Sequence, residues 1–138
     1  MTPFRLDPQL AADTFVVGDL ARCRVLLMND SRYPWLILVP RANGLRDLTD
    51  LDADDLAQCM QEVRTAAAAL QTCAPYQKLN VASLGNMVPQ LHIHVIGRNE
   101  GDAAWPKPVW GLGQAQPYSP AQLLLQELRA AIPGLTAA

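Results

Sequence analysis

The chain has 138 residues, of which 50% are hydrophobic and 17% charged, with a net charge of −2 and a mean hydropathy of +0.04. That mixture is too apolar for disorder and too even for a membrane protein, and the length is that of one ordinary domain, able to bury roughly 68–70% of its unfolded surface. A pI of about 5.5 provides no basic field for long nucleic acid, and apolar runs such as Trp35–Pro40 and Ala66–Leu70 fall far short of the ~20 residues of a spanning helix. No charged stretch followed by an apolar one opens the chain, so no secretory signal is expected. Three cysteines, Cys23, Cys59 and Cys73, stand at no metal-like spacing, and a reducing cytoplasm suits them best.

In chain order, Thr14–Val17 and Arg22–Met28 are β-rich runs separated by Gly18-Asp19, which predicts a hairpin. A break at Asn29-Asp30-Ser31 precedes Trp35–Val39, a short buried-type strand stopped by Pro40. Asp47 to Pro75 reads as the longest helix, because Leu56, Met60, Val63, Ala67 and Leu70 fall on one apolar stripe. Thr49 or Asp52 is its expected cap, and Asp52, Asp54 and Asp55 complement the positive end of its dipole rather than forming a metal or acid–base cluster. Lys78–Leu84 and Leu91–Ile96 are two further strands, joined by the tight loop Gly85-Asn86-Met87-Val88-Pro89. The Pro-, Gly- and Trp-rich stretch from Asn99 to Pro117 is expected to be irregular. Ser119-Pro120 then reads as N-cap and N1 of a last helix reaching about Ala131. The order βββ-α-ββ-α predicts an α+β fold, an antiparallel five-stranded sheet with one long helix packed on it and a C-terminal helix.

Both histidines lie in one short segment, Gln90-Leu91-His92-Ile93-His94-Val95-Ile96. Strand alternation places Gln90, His92 and His94 on one face, with Leu91, Ile93 and Val95 in the core. Neighbours on such a face stand ~6.5–7 Å apart, so the row is able to engage adjacent oxygens of one phosphate. An imidazole titrates near pH ~6.5, which lets one ring act as a neutral nucleophile while its neighbour donates to an anion. The plainer reading is a decorated strand face. Two metal ligands are a third reading, but the chain has no third histidine to join them.

The segment resembles the histidine-triad (HIT) superfamily signature His-φ-His-φ-His-φ-φ, with φ apolar, at every position except the first, where Gln90 replaces histidine. The likeness extends through Leu79-Asn80, Gly85–Pro89, Val25–Asp30 and Leu36–Arg41, over roughly residues 10–98, within a single domain spanning 1–138 whose tail begins at 99. It implies a nucleotide hydrolase or transferase acting at an α-phosphate through a covalent nucleotidyl-histidine, with a purine nucleoside phosphate as substrate, no metal or other cofactor, and a homodimer. His92 corresponds to the nucleophile, His94 to a donor to a non-bridging phosphate oxygen, and Gln90 to the residue beside the leaving group. Asp30, with Asn29 as the alternative, corresponds to the carboxylate that takes the ribose hydroxyls. Asn80, Gly85 and Asn86 match positions lining the phosphate and sugar, while Met87 stands where many members carry serine or threonine. Plainer roles stay open: Asp30 as a turn residue, Asn80 as a strand-end hydrogen-bonder, Gly85 as a positive-φ residue. Trp105, Pro106 and Trp110 read as cover for an apolar patch or a partner surface. A nucleotide-binding module with negligible turnover is the alternative function.

Overall fold

Five runs of β-formers pair into one sheet in the computed structural model, which describes residues 2–138. The strands are β1 (Thr14–Asp19), β2 (Cys23–Met28), β3 (Trp35–Pro40), β4 (Lys78–Ala82) and β5 (Ile93–Arg98), in spatial order β1-β2-β3-β5-β4. Every neighbouring pair is antiparallel. The expected α+β architecture is thus the observed one. Helix α1 (Pro8–Asp13) precedes the sheet, α2 (Ala53–Cys73) links β3 to β4, and α3 (Gln122–Ala131) follows the long tail.

Alternation along the strands gives the sheet two covered faces. Cys23, Val25, Leu27, Leu36, Leu38, Ile93 and Val95 pack beneath α2 and α3 against Cys59, Val63, Ala66, Leu70 and Leu128. Leu26, Trp35, Ile37, Val39 and Ile96 face the other way, against Leu10 of α1 and Ala104 and Val109 of the tail. Gly97 of β5 is a close-approach position, since a Cβ there would stand 2.7 Å from the Tyr76 ring.

Three local expectations are corrected. Helix α1 is an additional element: the Asp7 side chain caps it through the Gln9 N–H, with proline in its first turn, a start signal in a segment too short for periodicity to register. The predicted 47–75 helix divides into a 3-10 turn at Leu48–Asp50 and α2, whose cap is Asp52 accepting from the Asp55 N–H. The last helix starts at Gln122 and its Ala121 cap makes no side-chain bond. Asn29 Oδ1 draws the Tyr118 N–H at 2.9 Å, so the chain crosses Ser119-Pro120 before the first turn closes from Leu125 N–H to Ala121 O.

Helix α2 is tied to the sheet by a buried carboxylate. Glu62 accepts from the Arg22 and Cys23 backbone N–H groups, the latter at 2.7 Å, and from Gln58 Nε2 at 2.7 Å. Arg22 also pairs with Asp55. Removing Glu62 strands two N–H donors at the start of β2. Glu62→Ala is therefore expected to lower the unfolding free energy by about 3 kcal/mol in urea titrations at constant m-value. A loss below about 1 kcal/mol would show that the carboxylate is not what holds this corner.

Candidate active site

On the α1-and-tail face of the sheet, a cavity of about 320 Å³ opens beside both histidines. Its walls come from α1 (Leu10, Asp13), the end of β2 (Met28), β3 (Ile37), the loop Leu84–Val88, and Trp110 of the tail. Ile37 pairs with His94 across β3 and β5, which sets His94 at the floor. Gly85 holds φ +74, the left-handed turn that bends the 84–88 loop over the site.

The two rings are 4.9 Å apart between centroids, nearly edge to face. His92 Nδ1 lies 2.6 Å from the Gln90 carbonyl oxygen. A carbonyl only accepts, so Nδ1 carries the proton and Nε2 keeps its lone pair. His94 is bonded differently: Trp35 Nε1–H lies 3.1 Å from its Nδ1, and an indole only donates. Trp35, which sequence reading treated only as a strand residue, is therefore part of the histidine cluster. Trp110 also belongs to it, standing edge-on to His94 at 5.0 Å and to Trp35 at 6.1 Å between ring centroids. Asp13, not singled out in the sequence, is the cavity's carboxylate, and both its oxygens accept from Gln9 Nε2.

Of the residues the sequence nominated, His92, His94, Gly85, Asn86 and Met87 line this cavity, and Gln90, Asp30, Asn29 and Asn80 do not. The expected row of three side chains on one face is broken because β5 begins only at Ile93. Before it, Leu91 N–H bonds Leu45 O, and the Gln90 carboxamide is taken up by the N-terminal segment, donating to Arg5 O and accepting from Asp7 N–H. A carboxamide has both the donor and the acceptor that this segment's backbone needs. Asn80 accepts from Arg98, whose guanidinium is buried in a two-pronged pair with Asp102.

Asp30 is buried at 1% exposure and clamped by Arg32. Burial pushes its carboxyl up, but the Arg32 guanidinium and the backbone N–H groups of Arg32 and Gln116 outweigh burial and hold it below its ordinary value. Arg32 also donates to Leu112 O, and Ser31 N–H to Gln116 O. With Asn29 holding Tyr118, the whole β2–β3 turn fastens the tail that carries Trp110.

Burial first, and His92 second, hold the His94 pKa down to about 4. The unfolded ring takes up a proton as the pH falls below about 6.5, whereas the folded ring does so only near 4. Stability from this group is complete above pH 6.5 and drains away between 6.5 and 4, amounting to roughly 3 kcal/mol. Urea midpoints measured at pH 7, 5.5 and 4 should fall stepwise, and His94→Gln should flatten that fall. Wild-type midpoints that stay level across the window would contradict a buried neutral His94.

Residues 9–101 match the HIT domain family. Among solved structures, a histidine triad protein from Bradyrhizobium japonicum is 43% identical with a TM-score of 0.91, over 95% of this chain and 99% of that one. One from Marinobacter aquaeolei VT8 is 40% identical with a TM-score of 0.92, over 98% and 100% of the two chains. A histidine triad protein from Sinorhizobium meliloti 1021 is 40% identical with a TM-score of 0.89, over 93% and 96%. A search of curated proteins gave no match. With its five-stranded sheet, its His-x-His where β5 begins and this agreement along nearly the full length, the chain belongs to the HIT domain family.

Proposed function

We propose that the protein is a nucleotide hydrolase or transferase acting at an α-phosphate through His92. The observation that carries this reading is the 2.6 Å bond from His92 Nδ1–H to the Gln90 carbonyl, which leaves the Nε2 lone pair for the cavity. Nε2 attacks phosphorus, and the bond to the leaving group breaks with its electron pair departing on that group. The nucleotidyl-His92 so formed carries imidazolium charge, which the Gln90 carbonyl stabilises through Nδ1–H. Water then attacks phosphorus, the P–N pair returns to Nε2, and the water proton leaves with the phosphate product and solvent. His94 donates to a non-bridging oxygen as charge builds. Gln90 thus contributes its main chain here, where the sequence suggested its side chain.

Leu10, Met28 and Ile37 give an apolar wall suited to a purine base, and Gly85, Asn86 and Met87 form the rim over the phosphate and sugar. The outer edge of β4, with Val81 exposed, suits sheet extension in a homodimer. Free thiols at all three cysteines accord with a reducing cytoplasm.

The test is covalent trapping. Incubation with an adenosine phosphoramidate or a dinucleoside polyphosphate, quenched in base, should add nucleotidyl mass to the wild type and none to His92→Ala. The variant should melt as the wild type does, because His92 lines an open cavity and its truncation closes off no void. Tight binding with neither adduct nor product would instead assign a nucleotide-binding module.

A second expectation concerns the leaving group. With the Gln90 carboxamide bonded to Arg5 and Asp7, it supplies no proton there, and general acid help worth typically 10²–10⁴-fold is missing. Rates across nucleotides differing only in leaving group should fall steeply as its basicity rises, with phosphoramidates poorer than pyrophosphate-type substrates. A flat dependence would point to an acid that this cavity does not present.

A further inference from the structure

We infer that Trp35 is a positioning residue: its indole N–H, bonded to His94 Nδ1, fixes the proton of His94 on Nε2 and thereby makes His94 the donor of the pair. This rests on the reading of the cavity as a phosphoryl-transfer site, and it concerns a residue that does not line the cavity.

The argument begins with β3. Trp35 pairs with Ile96 and Ile37 pairs with His94, so Trp35 and His94 are diagonal neighbours on the same face of the sheet, a separation that aromatic side chains readily span. The indole is buried at 4% exposure, and its plane is set by Tyr33 and Trp110, both packed edge-on against it. A buried indole N–H needs an acceptor, and the one it has is His94 Nδ1 at 3.1 Å. A ring nitrogen that accepts from an indole must present its lone pair. Since the buried ring is neutral, its single proton resides on Nε2.

His92 has the opposite arrangement, with the proton on Nδ1 because a backbone carbonyl faces it. Two chemically identical side chains, two residues apart, are thus given opposite roles by what stands behind each ring. Behind His92 is an acceptor, which exposes a nucleophilic lone pair. Behind His94 is a donor, which exposes an N–H. Without the indole N–H, His94 would divide its proton between both nitrogens and present a lone pair to the phosphate for part of the time. Lone pair against phosphate oxygen is repulsive, so the lost donor would be felt most where charge is greatest, in the transition state.

The experiment replaces the N–H alone. Trp35→Phe removes it, and because the smaller ring also leaves a packing gap, Trp35→3-benzothienylalanine is the companion variant, keeping the bicyclic shape with sulfur in place of N–H. Two readouts are taken on the intact protein, ¹⁵N shifts of the two labelled imidazoles and steady-state kinetics. In the wild type, His94 should show a lone-pair-type Nδ1 and a protonated Nε2, with His92 reversed. In the isostere, His94 should shift toward a mixture while His92 is unchanged. Its kcat should fall on the order of 10-fold with little change in KM, short of the roughly 10²–10³-fold cost of deleting a charge-stabilising donor outright.

A wild-type His94 protonated on Nδ1 would overturn the inference. So would an isostere in which the His94 pattern and kcat are both unaltered, which would make Trp35 a packing residue, or one in which the pattern shifts and kcat does not. If the wild type turns over no nucleotide, the enzyme reading fails, and the nitrogen pattern still decides the role of Trp35 by itself.

Discussion

The two-residue alternation of β5, held between β3 and β4, is the constraint on which the site depends. Its odd members, Ile93 and Val95, pack beneath α2 and α3. His94 stands opposite Ile37, and Ile96 opposite Trp35, on the face that carries the cavity. A shift of pairing by one residue would bury His94 under α2 and turn Ile93 toward the cavity. Ile93 and Val95, the apolar residues on either side of His94, therefore matter as much as the histidines. They give the register a hydrophobic penalty for slipping, and that penalty keeps the imidazoles where their chemistry is possible.

Around this strand, backbone groups do much of what side chains were expected to do. The Gln90 carbonyl orients His92, while the Gln90 carboxamide closes the hydrogen bonds of Arg5 and Asp7. Asp30 and Asn29 likewise serve the tail, holding Gln116 and Tyr118. The Asp30–Arg32 pair is buried on the carboxylate side, where an ion pair is worth having only if its remaining hydrogen bonds are satisfied. They are, by the N–H groups of Arg32 and Gln116. The pair thus acts at a distance on the site, since the segment it secures brings Trp110 against His94.

The fold was legible wherever a periodic signal was long enough. The apolar stripe of α2, the β-rich runs of β1 and β2, the continuous apolar run of β3 and the alternation around the histidines each carry their own evidence of burial, and the sheet followed from their order. The His92–His94 pair was legible from local pattern, and the place of residues 85–87 beside it came from the family resemblance. Asp30 was legible only as a turn residue, the role its bonds to Arg32 bear out, because the bond it accepts from the Gln116 N–H is 86 residues distant along the chain with no local trace. Trp35 was read correctly as a strand residue, but its indole N–H meets a residue on β5, and nothing in either segment alone announces that bond. Asp13 lay at the end of a six-residue helix, too short for the 3.6-residue period to appear.

Charge gives the site its last constraint. Apart from the imidazoles, Asp13 is the one ionisable side chain among the described residues lining the cavity, and no lysine or arginine joins it there. In the proposed reaction, a phosphate held in this place would be met by neutral donors in an apolar surround. Such donors bind a ground-state anion weakly, because the anion gives up water to reach them. Their advantage grows as the transition state gathers more charge on the same oxygens, since fixed dipoles need no reorganisation to respond. A cation would have held the bound substrate tightly as well, raising affinity without proportionate gain in rate. On the proposed reading Asp13 would act in the same direction by repulsion, disfavouring any pose that brings a phosphate toward α1. The phosphate would then be left with the histidine end, and the carboxylate with the part of the ligand that can donate to it. In the proposed reaction, selectivity for position would come from a negative charge, and selectivity for the transition state from neutral donors in place of a positive one.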